Sequence, residues 1–222
     1  MAEQGTTTPR ERYRAQVRTE IKQRAWEQVA TAGASALSLN AIAKQMGMSG
    51  PALYRYFSGR DELITELVRD AYRSLADTFR AASEAGADLT GLAHALRGWA
   101  LQDPHRYFLI YGTPVPGYHA PDDTTAISSE IMATILDACA ALPSAAPSDG
   151  PATPFDAHLE GHRDWARGHP APPAALHRAL TFWSRLHGVL SLELAGQFTG
   201  MGFDPAQLFA AELADLAGPP PS

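Results

Sequence analysis

"SLNAIAKQMGMSGPALYRYFSGRDEL", Ser38 to Leu63, sets two short helical patterns on either side of a tight connection. Ser38 is placed to cap the first, whose apolar positions Leu39, Ile42, Ala43 and Met46 share one face before Gly47 ends it. Ser49 is placed to cap the second, "GPALYRYF", in which Pro51 falls in the first turn, where a missing N–H costs little. Gly50 and Pro51 therefore mark a helix start and not a kink. At 100° per residue, Leu53 and Phe57 define the inward side of this helix. Pro51 and Arg55 then point most nearly outward, Ala52 is intermediate, and Tyr54 and Tyr56 sit on the two flanks.

Working outward from this stretch, the chain reads as helical throughout. A pattern from about Arg10 to Gly33 carries Val17, Ile21, Ala25 and Val29 at four-residue steps, with Trp26 beside them. After the quoted stretch, Ser58 to Asp61 forms an S-x-x-D variant of the capping box. The helix it opens repeats Leu63, Leu67, Ala71, Leu75 and Phe79 and ends near Gly86. Further helices are predicted over about 88–102, 104–111, 124–141, 171–198 and 204–217. No stretch alternates with period two between turn signals, so the expected fold is all-α. The opening "MAEQGTTTP" and closing "GPPPS" are expected to be disordered, and the Pro-rich 142–154 to be a mobile linker.

Net charge is −6 over 222 residues, but its distribution is uneven. Residues 1–60 hold nine Arg and Lys against four acids, a balance of +5; the remainder holds nine basic and twenty acidic side chains, a balance of −11. A basic head on an acidic body suits contact with a polyanion at one end only. The one cysteine, Cys139, excludes an intrachain disulfide. No charged-then-apolar leader or apolar run of about 18 residues is present, so a membrane span is not expected and the cytoplasm is the expected compartment.

Two short helices joined by "GMS" have the arrangement of a helix-turn-helix, whose second helix lies in the DNA major groove. Flank tyrosines can reach phosphates on either wall while a small Gly-Pro nose approaches base edges. Arg60, at the start of the next helix, adds a cation and a positive dipole end. A lone Tyr-Arg-Tyr is ordinarily surface decoration; here it follows a capped helix pair in a +5 segment. The run Arg10, Arg12, Arg14 and Arg18 reads equally as a minor-groove arm or as a solvated helix start.

Ile21 to Ile64 resembles the DNA-binding domain of the tetracycline-repressor (TetR) family of bacterial transcription regulators. Ile21, Ala25, Val29, Gly33, Leu39, Ile42, Ala43, Gly47, Ser49, Leu53, Tyr54, Phe57, Arg60 and Leu63 match it over 44 residues without a gap. The resemblance implies a DNA-reading third helix, with Tyr54 and Arg60 on phosphates and Ser38 and Ser49 near the backbone. Asn40, Lys44, Gly50, Pro51, Ala52, Arg55 and Tyr56 complete the candidate DNA face. Gly50, Pro51 and Ala52 stand where the family often carries hydrogen-bonding side chains, so readout would lean on methyl contacts, close backbone approach and DNA shape. The expected division is a DNA-binding domain over 10–60 and an effector-binding and dimerisation domain over 61–218.

In the second part, "ALTFWSRLHGVLSLELAGQF" (179–198) sets Trp183, Leu186, His187, Leu190, Leu194 and Phe198 on one stripe. Such a stripe is usually core. With 103–121 it also resembles a TetR subgroup carrying Trp and then His-Gly four residues later, and the family implies a homodimer on its last two long helices. It also implies a cavity for a small effector, with Trp99, Tyr107, Phe108, Tyr111, Trp165 and Phe182 as candidate lining and His94 or Arg97 as polar groups. His158 and His162, four apart, with His169 and His177 following, raise a metal site, but Gly161 and Gly168 interrupt the span and no HExxH is present, so no metal or other cofactor is expected. No phosphate loop or G-x-S-x-G appears, and Cys139 has no basic neighbour in sequence, so no enzyme is expected. The competing reading is a helical interaction module whose basic head binds DNA without sequence preference.

Overall fold

The computed structural model describes residues 8–119, 121–142 and 153–217, and among them no strand occurs. The helices are α1 (Pro9–Ala32), α2 (Leu39–Gln45), α3 (Gly50–Leu53), α4 (Arg60–Glu84), α5 (Leu89–Gln102), α6 (Pro104–Tyr111), α7 (Asp122–Ala141), α8 (Pro154–Gly161), α9 (Pro173–Leu194) and α10 (Pro205–Ala217), with 3-10 turns at Ala34–Ala36 and Asp164–Ala166. Packing divides them into two units. One holds the chain through Ala71 with His105–Pro121; the other holds Tyr72–Pro104 and the chain from Asp122 onward.

By packing, the first unit reaches well past the expected boundary at residue 60. The cause is the first turns of α4, which bury Leu63, Ile64, Leu67 and Ala71 completely, together with α6. The Arg106 guanidinium lies 5.4 Å from the Trp26 ring centre, and the Tyr118 hydroxyl donates to Thr65 Oγ1 at 3.1 Å. Val17, Ile21, Ala25 and Val29 are the buried positions of α1, matching the four-residue period.

Three local expectations need correction. Pro9 opens α1 and Thr8 caps it: Thr8 Oγ1 accepts from the Glu11 amide while Glu11 Oε2 accepts from the Thr8 amide, a capping box that satisfies two exposed donors. The helix after Ser58 is fixed by Glu62, whose Oε2 accepts from the Ser58 amide at 2.6 Å and its hydroxyl at 2.8 Å. Asp61, three residues on, is not the partner, because the helix starts at Arg60 and Ser58 lies one residue outside its cap. Finally, α3 ends at Leu53 instead of running to Phe57: the Tyr56 and Phe57 amides both donate to the Leu53 carbonyl, tightening 54–57 into a turn.

In the second unit, α9 packs against α7, α8 and α10. Phe182, Leu186 and Leu190 form its fully buried stripe. Helix α9 starts at Pro173 and stops at Leu194, shorter at both ends than expected; Gly196 beyond it adopts φ 71°, which the left-handed region allows glycine without strain. Phe198 therefore lies outside the helix, its ring 5.2 Å from Phe203. Helix α8 was not expected, yet Thr153 and Asp156 form a capping box around Pro154. The expectations of disorder at residues 1–7 and 218–222, and of a mobile linker at 143–152, lie outside the described residues.

Candidate nucleic-acid interface

The helix pair is assembled as its sequence requires. Ser38 Oγ accepts from the Ala41 amide at 3.3 Å and starts α2, and the Ser38 amide donates to Gln28 Oε1 on α1 at 3.0 Å. Leu39, Ile42, Ala43, Leu53 and Phe57 are buried, closing α2 and α3 over a common core. Ser49 occupies the N-cap of α3, but its hydroxyl makes no cap hydrogen bond.

What remains outside is the candidate DNA face. Asn40, Lys44, Ser49, Pro51, Tyr54 and Arg55 are exposed, with Tyr54 at 48%; Gly50, Ala52 and Tyr56 are half-buried. A Cβ added to Gly50 would meet only Asn40 Oδ1, at 3.6 Å, so Asn40 on α2 reaches the start of α3. That contact is ordinary van der Waals distance. The protein's own packing thus leaves room for a larger residue at Gly50.

Three arginines have other work than expected. Arg60 Nη2 donates to the Ala34 and Ser35 carbonyls at 2.9 and 3.2 Å, holding the turn between α1 and α2. Substitution of Arg60 would disturb that turn as well as any phosphate contact. Arg18 is half-buried against residues 56–66, and Arg14 Nη2 donates to the Arg55 carbonyl at 3.2 Å. Arg10 and Arg12 remain exposed at the start of α1, beside the exposed Tyr13. Neither a minor-groove arm nor a wholly solvated helix start therefore describes all four arginines.

The residues expected around an effector fall in both units. In the first, Tyr107 is fully buried, its ring 5.6 Å from Phe108 and 5.4 Å from Tyr111. Phe108 also lines a cleft of about 410 Å³ with Val29, His105, Leu109 and Val115. In the second, Trp165 lines a groove of about 380 Å³ with Met132, Leu136, Arg167 and His169. Trp99 and Phe182 are buried, and Trp99 Nε1 donates to Ser74 Oγ at 3.1 Å. His94 is exposed on α5, and Arg97 is committed to Glu193, with Nη2 2.5 Å from Oε1. Arg97 is therefore corrected from a free pocket group to one half of an ion pair.

The stripe on α9 also divides. Leu186 and Leu190 are fully buried within the single chain, so they are core and cannot meet a second copy; Trp183, His187, Leu194 and Phe198 are half-buried. The exposed stripe of α9 is Ser184, Gly188 and Leu192, continued by Ala195 at its C-cap, and that of α10 includes Ala210, Ala211 and Ala214. The sequence hinted at this face through its small residues at three- and four-residue steps. His158 and His162 stack at 4.0 Å, and His162 Nδ1 faces the His158 carbonyl at 2.9 Å. Among the described residues no three His, Cys, Asp or Glu converge as a metal set.

Burial of His187, whose ring lies 4.1 Å from Trp183, pushes its pKa down to about 4. The unfolded chain then takes up this proton first, near pH 6.5, so the contribution is constant above that pH and is lost as pH falls toward 4. At pH 5 the expected loss is about 2 kcal/mol. Chemical denaturation at pH 7.5 and 5 should show a smaller loss in His187→Gln than in the parent chain; equal losses would refute the assignment.

The comparisons with known proteins agree with this architecture. Residues 21–67 match the family described as bacterial regulatory proteins, tetR family, and residues 89–216 match the tetracyclin repressor-like C-terminal domain. The HTH-type transcriptional regulators Rv1816 of Mycobacterium tuberculosis and Mb1846 of Mycobacterium bovis are each 38% identical over 211 residues, covering 90% of both chains. The crystal structure of SCO4313, described as a regulatory protein, superposes with a TM-score of 0.88 at 75% identity, covering 96% of this chain and 100% of that one. NalD, the secondary repressor of the MexAB-OprM efflux pump in Pseudomonas aeruginosa, shares the fold at a TM-score of 0.51 and 15% identity, over 92% and 95% of the two chains. Among the described residues no helix is long and apolar enough to cross a membrane. With a helix-turn-helix head and a helical second unit each matched by its own profile, the chain belongs to the TetR family of DNA-binding transcriptional regulators, which are not enzymes.

Proposed function

We propose that this regulator is a homodimeric repressor, released from a palindromic operator by a small-molecule effector. The observation that carries the reading is the α2–α3 surface, where Asn40, Lys44, Ser49, Pro51, Tyr54 and Arg55 stay exposed around a helix too small to fill a groove by itself. A single head touches too little DNA for selective binding, so two copies are needed. The exposed small-residue faces of α9 and α10, flanked by Leu192, Met201 and Phe203, are the surface proposed to pair them.

DNA reading belongs to 10–60 and effector binding with dimerisation to 61–218 in this proposal. Arg60 joins the DNA face only through the donors left by the Ala34 and Ser35 carbonyls. The groove containing Trp165 is the proposed effector site in the second unit. An effector that favours a form whose heads no longer match successive major grooves lowers operator affinity, and operator DNA must weaken effector binding by the same factor.

The test is enrichment of genomic fragments on the full chain at near-physiological salt, with a Lys44→Ala, Tyr54→Ala double variant as control. A palindromic site lost in the control supports the regulator reading. Binding without sequence preference supports the interaction-module alternative. On an enriched site, Lys44→Ala is expected to weaken every sequence alike and reduce the salt slope by about one. Tyr54→Phe removes a hydroxyl and no charge, so it should weaken binding by about 1 kcal/mol with an unchanged slope. A slope that falls for Tyr54→Phe, or stays put for Lys44→Ala, contradicts these assignments.

A further inference from the structure

Helix α3 has four helical residues, far fewer than the roughly 12–15 at which an isolated helix becomes even marginal in water. Its continuation, 54–57, turns too tightly to pass its carbonyls on to later amides in an α-helical ladder. The carbonyls of Arg55 and Tyr56 are the orphan acceptors at this end. Both are met from α1. Arg14 Nη2 donates to the Arg55 carbonyl at 3.2 Å, and Arg18 Nη1 donates to the Tyr56 carbonyl. The Arg18 guanidinium also lies over the Phe57 ring, 4.1 Å from its centre.

The charge of Arg18 is matched inside the unit. Its Nη1 lies 3.6 Å from Glu62 Oε1 and its Nη2 3.7 Å from Glu66 Oε2. One turn further along both helices, Lys22 Nζ lies 2.7 Å from Asp70 Oδ2 and 3.9 Å from Glu66 Oε2. Arg18 and Lys22 on α1 face Glu62, Glu66 and Asp70 on α4 at matching four-residue steps. A basic residue beside a reading helix would ordinarily be counted among the phosphate contacts. Here one face of the guanidinium lies on the Phe57 ring, and both of its terminal nitrogens already have acceptors within the unit.

Resting on the proposed DNA-reading role of this surface, we infer that Arg18 is a positioning residue for operator recognition: it clamps the end of the reading helix to α1 through the Tyr56 carbonyl and the Phe57 ring, without touching DNA. A planar fork can donate at its edge and stack on its face at once, which a lysine ammonium cannot reproduce.

Two readouts on the full chain test this. The first needs no DNA: amide hydrogen exchange over 50–57, where the Leu53, Tyr54, Tyr56 and Phe57 amides are hydrogen-bonded, in the parent, Arg18→Lys and Arg18→Gln. Exchange there should quicken by about tenfold in Arg18→Lys and further in Arg18→Gln, while the central amides of α1 and α4 keep their protection. The second uses a duplex selected from a random library by the parent chain and an unselected duplex of equal length. Arg18→Lys should lower the selected-to-unselected affinity ratio by about tenfold with an unchanged salt slope. Unchanged exchange over 50–57 in both variants overturns the clamp, whatever DNA binding does. Equal weakening of both duplexes with a reduced slope and unaltered exchange makes Arg18 a phosphate contact instead. If the parent selects no duplex, the regulator proposal fails, and the exchange data still decide the clamp.

Discussion

Leu53→Ala is expected to destabilise the DNA-reading unit by about 2–5 kcal/mol and abolish DNA binding at ordinary temperatures, as a core deletion that the small helix cannot absorb. Leu53 is the last residue of α3 and is fully buried, as are Phe57, Ile42, Ile21 and Ala25 in the same unit. Its carbonyl accepts from both the Tyr56 and Phe57 amides, so its position also sets the turn that follows. Removing the isobutyl group leaves a cavity beside an element with almost no helical stability of its own. The neighbour Pro51, exposed on the same helix, supplies the control: Pro51→Ala should leave stability within about 0.5 kcal/mol. Chemical denaturation of the three proteins, followed by a signal from the first unit, decides the matter. Comparable stability of Leu53→Ala and Pro51→Ala would show that the inward face has been misassigned.

In the second unit, Arg97→Met and Glu193→Leu are each expected to cost about 3 kcal/mol, and the double variant Arg97→Met, Glu193→Leu less than either. The two side chains are only 20% and 14% exposed. Arg97 also lies 5.7 Å from the centre of the Phe209 ring, so α5, α9 and α10 meet at this pair. Arg97 Nε and Glu193 Oε2 are buried with no hydrogen-bond partner among the described residues. The pair is thus incompletely satisfied before either member is removed, and each single change strands an opposite charge among apolar neighbours. Taking both away removes the uncompensated charge along with the attraction. A double-mutant cycle in denaturant should therefore give a coupling of about 3 kcal/mol or more. Small, additive single effects would mean that water screens the pair as it does a surface salt bridge.

Sequence alone determined the parts whose cause is local. The i, i+4 spacing of Val17, Ile21, Ala25 and Val29 leaves one apolar face on a helix, and that face is buried. Ser38 before Leu39 supplies an N-cap oxygen, and it accepts as expected. The inward positions of α3 followed from helical angle, with Leu53 and Phe57 fully buried although only the first lies within the helix itself.

Tertiary packing decided what local spacing leaves degenerate. An arginine on a basic helix looks the same in sequence whether it meets phosphate or carbonyl. Arg18 and Arg60 became structural because the chain folds acceptors from residues 56 and 34–35 against them. The stripe from Trp183 to Phe198 has one period for core and interface alike; only the positions of α5, α7, α8 and α10 around α9 separate buried Leu186 and Leu190 from the exposed Gly188 and Leu192. Pocket aromatics are ambiguous for the same reason: an indole or phenol ring suits a core as well as a cavity wall. Periodicity reports which side of an element is apolar, whereas function depends on what the rest of the chain, or a second molecule, brings to that side.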